Sequence, residues 1–197
     1  MLSAYLPLFL FVIVSTISPG GATTLATASG AHFGYRRSLP LLSGIAMGLA
    51  TIAALSAAGL GSILLAFPAL QLAMKLAGSL YLLWLAWKIA RSGSPKQAKV
   101  SQPTRFWGAL LLIWYNPKAW AMSLGASASF SDVAADPWHL TLLLGAFFGV
   151  AAILSLSLWC SVGIVLARLL KTTTQWHLLN GFLSLLLVLS IVPMWLS

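Results

Sequence analysis

Lys118 is a charged side chain in the middle of an apolar run, directly after Asn116 and Pro117. The stretch Ile17-Ser18-Pro19-Gly20-Gly21 interrupts the first apolar run in a similar way, with its proline 98 positions before Pro117. In each, a good N-cap residue (Ser18, Asn116) precedes a proline. A serine or asparagine oxygen accepts from the turn that follows, and proline suits the first helical position, where its missing N–H is not needed. Each stretch is therefore expected to end one half-helix and start another. A helix start exposes unpaired N–H groups and the positive end of the dipole. The expected donors are the amides of Gly20, Gly21 and Ala22 after the first break, and of Lys118, Ala119 and Trp120 after the second. The glycines allow a ligand close to the backbone. The chemistry on offer is capture of an anion such as a carboxylate, and the candidate substrate-binding residues are Ser18, Pro19, Gly20, Gly21, Asn116, Pro117 and Lys118.

Lys118 has two readings. A lysine at the centre of a membrane span costs on the order of 2.5–3.5 kcal/mol, so it needs a partner, a ligand or a water-filled cavity. With no acid at its depth, a ligand carboxylate is one candidate partner; backbone carbonyls freed by a helix break are the other. Ser15, Thr16, Thr23, Thr24 and Thr27, with Ser123 and Ser127, form polar stripes that suit either a path for solute or bonding back onto their own helices.

Other chemistries lack their residues. No cluster of His, Asp, Glu or Cys falls at the depth of Lys118, which argues against a metal-ion exporter, and neither a metal nor a cofactor is assigned. His32, His139 and His177 lie near span ends and are expected at the interface. No serine has a plausible base beside it, so no catalytic residue and no enzymatic activity are assigned. No proton carrier can be named. Cys160 is the one cysteine, so no intrachain disulfide forms, and a small packed hydrophobe is expected.

The elements that must carry these residues are membrane spans. The 197 residues are 60% hydrophobic and 7% charged, the composition of an integral membrane protein. At about 20 residues per crossing, six spans use nearly the whole chain: Tyr5 to Ala31, Leu39 to Phe67, Leu70 to Ala90, Phe106 to Phe130, Trp138 to Ala167 and Trp176 to Leu196. The apolar start followed by Ala26-Thr27-Ala28 resembles a cleavable signal, but the first basic residue is Arg36, so a span is expected instead. Nine of the eleven basic residues, Arg36, Arg37, Lys88, Arg91, Lys96, Lys99, Arg105, Arg168 and Lys171, fall on one side if spans alternate. Asp132 and Asp136 fall on the other. The positive-inside rule makes the basic side cytoplasmic and puts both termini outside. It also accounts for the net charge of +9 without a nucleic-acid partner. Trp84, Trp87, Trp107, Trp138, Trp176 and Trp195 are expected as interfacial anchors.

The second half echoes the first. Gly44-Ile45-Ala46-Met47-Gly48 and Gly145-Ala146-Phe147-Phe148-Gly149 are 101 apart, and Leu76-Ala77-Gly78 matches Leu179-Asn180-Gly181 at 103. Three spans per half would place the second copy inverted. The expected fold is an all-α integral membrane domain over residues 1–197, with six transmembrane helices in two inverted three-helix repeats. These cover about 1–92 and 104–197, joined by a basic linker over 91–105, with helices 1 and 4 interrupted. Such repeats with matched broken helices point to a secondary transporter. The G-x-x-x-G pairs favour packing within the chain; a homodimer interface is the other use.

Ser18-Pro19-Gly20, the glycines Gly30, Gly34, Gly44 and Gly48, the stretch from Leu80 to Lys88, and Asn116 to Trp120 together resemble the LysE/RhtB superfamily of bacterial amino-acid exporters. The third-span stretch is most similar to its cysteine/O-acetylserine exporter branch. The resemblance extends over essentially the whole chain. It implies proton-motive-force-driven export of small amino acids or their derivatives across the inner membrane, with an amino acid and the lipid bilayer as partners. One departure is Gly21, where the family commonly has a second proline. A membrane accessory or structural subunit is the competing expectation, favoured if the two breaks lie far apart or face lipid.

Overall fold

The computed structural model describes residues 2–59, 66–91, 104–134, 136–192 and 195. The outer end of the second expected span, most of the linker with Lys96 and Lys99, and the last residues of the sixth span lie outside them. Among the described residues the regular elements are all helical. They are α1 (Leu2–Ile17), α2 (Gly21–Ala57), α3 (Pro68–Ala90), α4 (Phe106–Trp114), α5 (Pro117–Ser129), a 3₁₀ turn (Ser131–Val133), α6 (Pro137–Leu169) and α7 (Thr173–Leu189).

Both expected breaks are present, between α1 and α2 and between α4 and α5. The connection expected between Ala31 and Leu39 is different. Helix runs through it, and the chain changes direction at a single residue, Gly34, whose φ of 75° and ψ of 174° are non-helical. Glycine reaches that backbone region without penalty. A straight 37-residue helix would be about 56 Å long, far more than the ~30 Å hydrocarbon core, so a bend here brings the chain back. Ser38 braces it, donating to the Gly34 carbonyl at 2.8 Å and pairing with Ser29 across the bend at 2.7 Å.

Small residues set how the helices pack around α2. A Cβ on Gly30 would strike the Cys160 carbonyl, and one on Gly163 would strike the Thr27 carbonyl. The first part of α2 and the second part of α6 therefore cross backbone to backbone. Gly44 and Gly48 face Phe106 and Ile113 of α4, while Gly145 and Gly149 face Ala50 and Ala54 of α2. Both G-x-x-x-G pairs are used inside the chain. A hydrophobic cluster with Leu42, Ile45, Ile52, Leu144 and Phe148 fills the space between α1, α2, α5 and α6. A second, with Leu25, Leu82, Leu85, Leu112 and Leu187, joins α2, α3, α4 and α7. Ser184 of α7 donates to the Ala86 carbonyl of α3 at 2.9 Å.

Two expected interfacial residues are interior instead. His32 Nε2 pairs with Asn180 Oδ1 at 2.9 Å, and its ring lies 5.4 Å from that of Trp176. Asn180 and Trp176 are both buried, because this face of α7 packs onto α2. Trp84, Trp87, Trp107, Trp138 and Trp195 are exposed, as anchors should be. At the opposite end Asp136 caps α6, accepting from the His139 amide at 2.9 Å and pairing with its ring at 2.6 Å. The amide bond first, and then the ring, hold its carboxyl below the usual carboxylate value.

Candidate functional site

The two breaks meet. Lys118, in the first turn of α5, donates from Nζ to Ser18 Oγ at 2.8 Å and to the Ser18 carbonyl at 3.3 Å. The two residues are 100 positions apart in sequence. Ser18 Oγ in turn donates to the Ser15 carbonyl at 2.9 Å. A Cβ on Gly20 would stand 3.3 Å from Lys118 Nζ.

The breaks are built differently. At the second, Asn116 is the N-cap and Pro117 the first helical residue, as expected, with Asn116 Oδ1 accepting from the Lys118 amide at 3.0 Å. The Ala119 and Trp120 amides both reach the Asn116 carbonyl, at 3.0 and 3.5 Å. The three donors expected at this helix start are thus taken, and α5 presents its lysine side chain instead. At the first break the cap is Gly20, not Ser18, and Pro19 lies outside the helix. Thr23 Oγ1 accepts from the Gly20 amide at 2.8 Å and donates to the Gly20 carbonyl at 2.9 Å, which satisfies the residue that has no side chain of its own. The amides of Gly21 and Ala22 take no protein partner among the described residues. They remain the donors of this terminus.

A cavity of about 40 Å³ lies where the breaks converge. Its lining includes the polar residues Ser15, Thr16, Ser18, Thr23, Asn116 and Lys118, with Gly20 and Gly21 contributing bare backbone. Ile45 and Leu49 of α2, Ile113, Met122, Ala152 and Leu156 supply apolar wall. Five of the seven sequence candidates line it; Pro19 and Pro117 shape the breaks without facing the cavity. The apolar wall was not legible in the sequence, since those residues look like any other core positions. A cavity of this size has room for water or one small polar group.

Neighbouring helices hold the breaks in place. Ser155 of α6 donates to the Thr16 carbonyl at 2.9 Å and Trp159 Nε1 to the Ile17 carbonyl at 3.1 Å, so two carbonyls that α1 leaves at its end are satisfied. Trp120 Nε1 does the same for Trp114 at the end of α4, at 2.8 Å. Trp114 Nε1 then donates to Thr51 Oγ1 at 3.2 Å.

The paired helix breaks enclose a half-buried lysine. The family of LysE type translocators matches residues 13–191. The chain belongs to this LysE family. Its relatives include the cysteine/O-acetylserine efflux proteins of Escherichia coli (strain K12) and Shigella sonnei (strain Ss046). Each is 28% identical over 195 residues, covering 95% of this chain and 94% of the relative. No solved structure matches. LysE membership makes the chain a membrane transporter. Gly21–Ala57 and Pro137–Leu169 are each long and apolar enough to cross a bilayer, and the breaks divide the helices around them into shorter pieces.

Proposed function

We propose that the protein is a secondary transporter that exports small amino acids or amino-acid derivatives from the cytoplasm, driven by the proton-motive force. It would work by alternating access around the cavity at the two breaks, with six crossings arranged as two inverted halves. The observation that carries this reading is the junction of Lys118 with Ser18. An ammonium has three donors, and Ser18 accepts two hydrogen bonds. The third donor, with the amides of Gly21 and Ala22, suits a carboxylate. Lys118 then has both of the roles expected for it: it holds the two breaks together when the site is empty and receives the anion when cargo enters. The contact between the two breaks weighs against an accessory subunit, which would be favoured by breaks that lie far apart. The names of the relatives point to cargo with an amino-acid backbone.

The test is efflux from cells loaded with a panel of amino acids, with and without the protein, followed by the same measurement for Lys118→Ala. Export of one or more amino acids, reduced about tenfold or more by Lys118→Ala at equal membrane abundance, is the expected result; hydrogen bonds to a charged group are worth about 1.5–3 kcal/mol. Unchanged export kinetics in that variant would remove Lys118 from the site.

A further inference from the structure

A second cavity, of about 180 Å³, lies beside the one at the breaks, between α3 and α4. Its lining includes Gly78, Tyr81, Leu82, Leu112, Tyr115 and Asn116. Asn116 belongs to both cavities. Leu82 also stands at the border: its Cδ2 is 3.4 Å from the place a Cβ on Gly21 would occupy. The small cavity offers the Lys118 ammonium and the Gly21 and Ala22 amides among apolar walls, the larger one is walled almost wholly by carbon, and Asn116 and Leu82 stand where they adjoin. Those are the two ends of an amino acid with an apolar side chain.

Resting on the reading of the protein as an amino-acid exporter, we propose that the second cavity receives the cargo's side chain and selects aliphatic or aromatic residues over small polar ones. The carboxylate would face Lys118 and the Gly21 amide, the α-carbon would pass Asn116, and the side chain would enter between Tyr81, Leu82 and Leu112. Size supports this: an apolar cavity of about 150 Å³ is enough to hold benzene, so leucine, methionine or phenylalanine side chains are within range. The walls support it too. A serine hydroxyl placed there would lose its water without gaining a partner, and each methylene of an apolar side chain is worth about tenfold or more in discrimination. A lipid tail is the rival occupant of any carbon-lined space in a membrane protein. It would not account for a cavity whose rim is a side-chain amide shared with a cationic site.

The experiment is counterflow in proteoliposomes of the full-length protein. Uptake of labelled leucine is measured against competing leucine, methionine, phenylalanine, alanine and serine. Leucine, methionine and phenylalanine should compete at concentrations at least about tenfold lower than alanine or serine. The variant Gly108→Leu places a side chain at another residue of the cavity lining, where the added Cβ meets the Thr104 methyl group at 3.2 Å. It should lower leucine's advantage over alanine by about tenfold. Equal competition by all five amino acids, or an unchanged ratio in an exchanging Gly108→Leu protein, overturns the proposal and leaves the lipid-tail reading. If Gly108→Leu fails to exchange, the wild-type competition series decides. Absence of counterflow with every amino acid would instead sink the exporter reading itself.

Discussion

Gly20 shows how much of the site depends on a missing side chain. Its φ and ψ of −178° and −173° are extended values open to any residue, so its importance lies in what stands opposite. An added Cβ would meet the Lys118 ammonium at 3.3 Å, close to the separation of a hydrogen-bonded pair but with no acceptor to offer. A methyl group there can be met by a small shift of a flexible lysine. The branched side chain of valine fills the place a ligand atom would take. Gly20→Ala is therefore expected to retain part of the transport and Gly20→Val to abolish it at equal membrane abundance; full transport by Gly20→Val would reduce the glycine to a packing residue. Neighbouring Gly21 occupies the first position of α2, where proline is well tolerated. With glycine the helix start keeps one more N–H. Both breaks were legible in the sequence because each sets a capping-type residue before a proline at matched positions in the two halves; Pro7 and Pro40, each preceded by leucine, lie inside helices. Their meeting was not, because nothing local to Ser18 says that its partner is 100 residues away. The saturation of the α5 amides was equally invisible, since it depends on where the Asn116 carbonyl points.

Half-helices need rigid neighbours, or the breaks would anneal or drift. The part of α2 before Gly34 is held against α6 by reciprocal backbone contact, Gly30 on the Cys160 carbonyl and Gly163 on the Thr27 carbonyl. A side chain at either place must push apart two backbones that are fixed at several other points. Overpacking a well-filled interior costs about 1–3 kcal/mol, and here the obstacle is main chain, which has no rotamer to escape into. Gly163→Val should lower the thermal transition of the purified protein in detergent by several degrees. Gly181→Val is the matched control, because a Cβ on Gly181 meets nothing within 4 Å. Both changes have the same intrinsic effect on helix propensity, so equal shifts would show that the crossing is not tightly packed. The sequence displayed these glycines but assigned them unevenly. Gly44, Gly48, Gly145 and Gly149 stood out by their four-residue spacing, whereas Gly163 had no such mark and was passed over. His32 was misplaced for a related reason: its depth depends on the bend at Gly34, and a position count that ends the span at Ala31 leaves it at the interface.

For the whole molecule, the asymmetry of charge predicts which side each loop faces. Arg36, Arg37, Arg91, Arg105, Arg168 and Lys171 lie at one set of helix ends or bends, and Asp132 and Asp136 near the other. If the chain crosses six times, the bend at Gly34 is cytoplasmic and the segment around the 3₁₀ turn is external. The chain is well suited to a direct test. Its single cysteine, Cys160, is buried, so a membrane-impermeant thiol reagent should leave the unmodified protein unlabelled. Arg37→Cys and Asp132→Cys introduce thiols at exposed positions that the charge rule places on opposite sides. In intact spheroplasts Asp132→Cys should react and Arg37→Cys should not; in inside-out vesicles the two should exchange behaviour. Labelling of both from one side would rule out the opposed halves, and with them a cavity that opens alternately to the two faces. Removing one arginine of a pair leaves the remaining basic residues to set orientation, so the probe itself does not change the result it reads. Export by the proposed mechanism needs the cavity to fill from the side of Gly34 and empty toward Asp136, so it requires those two points to lie in different compartments.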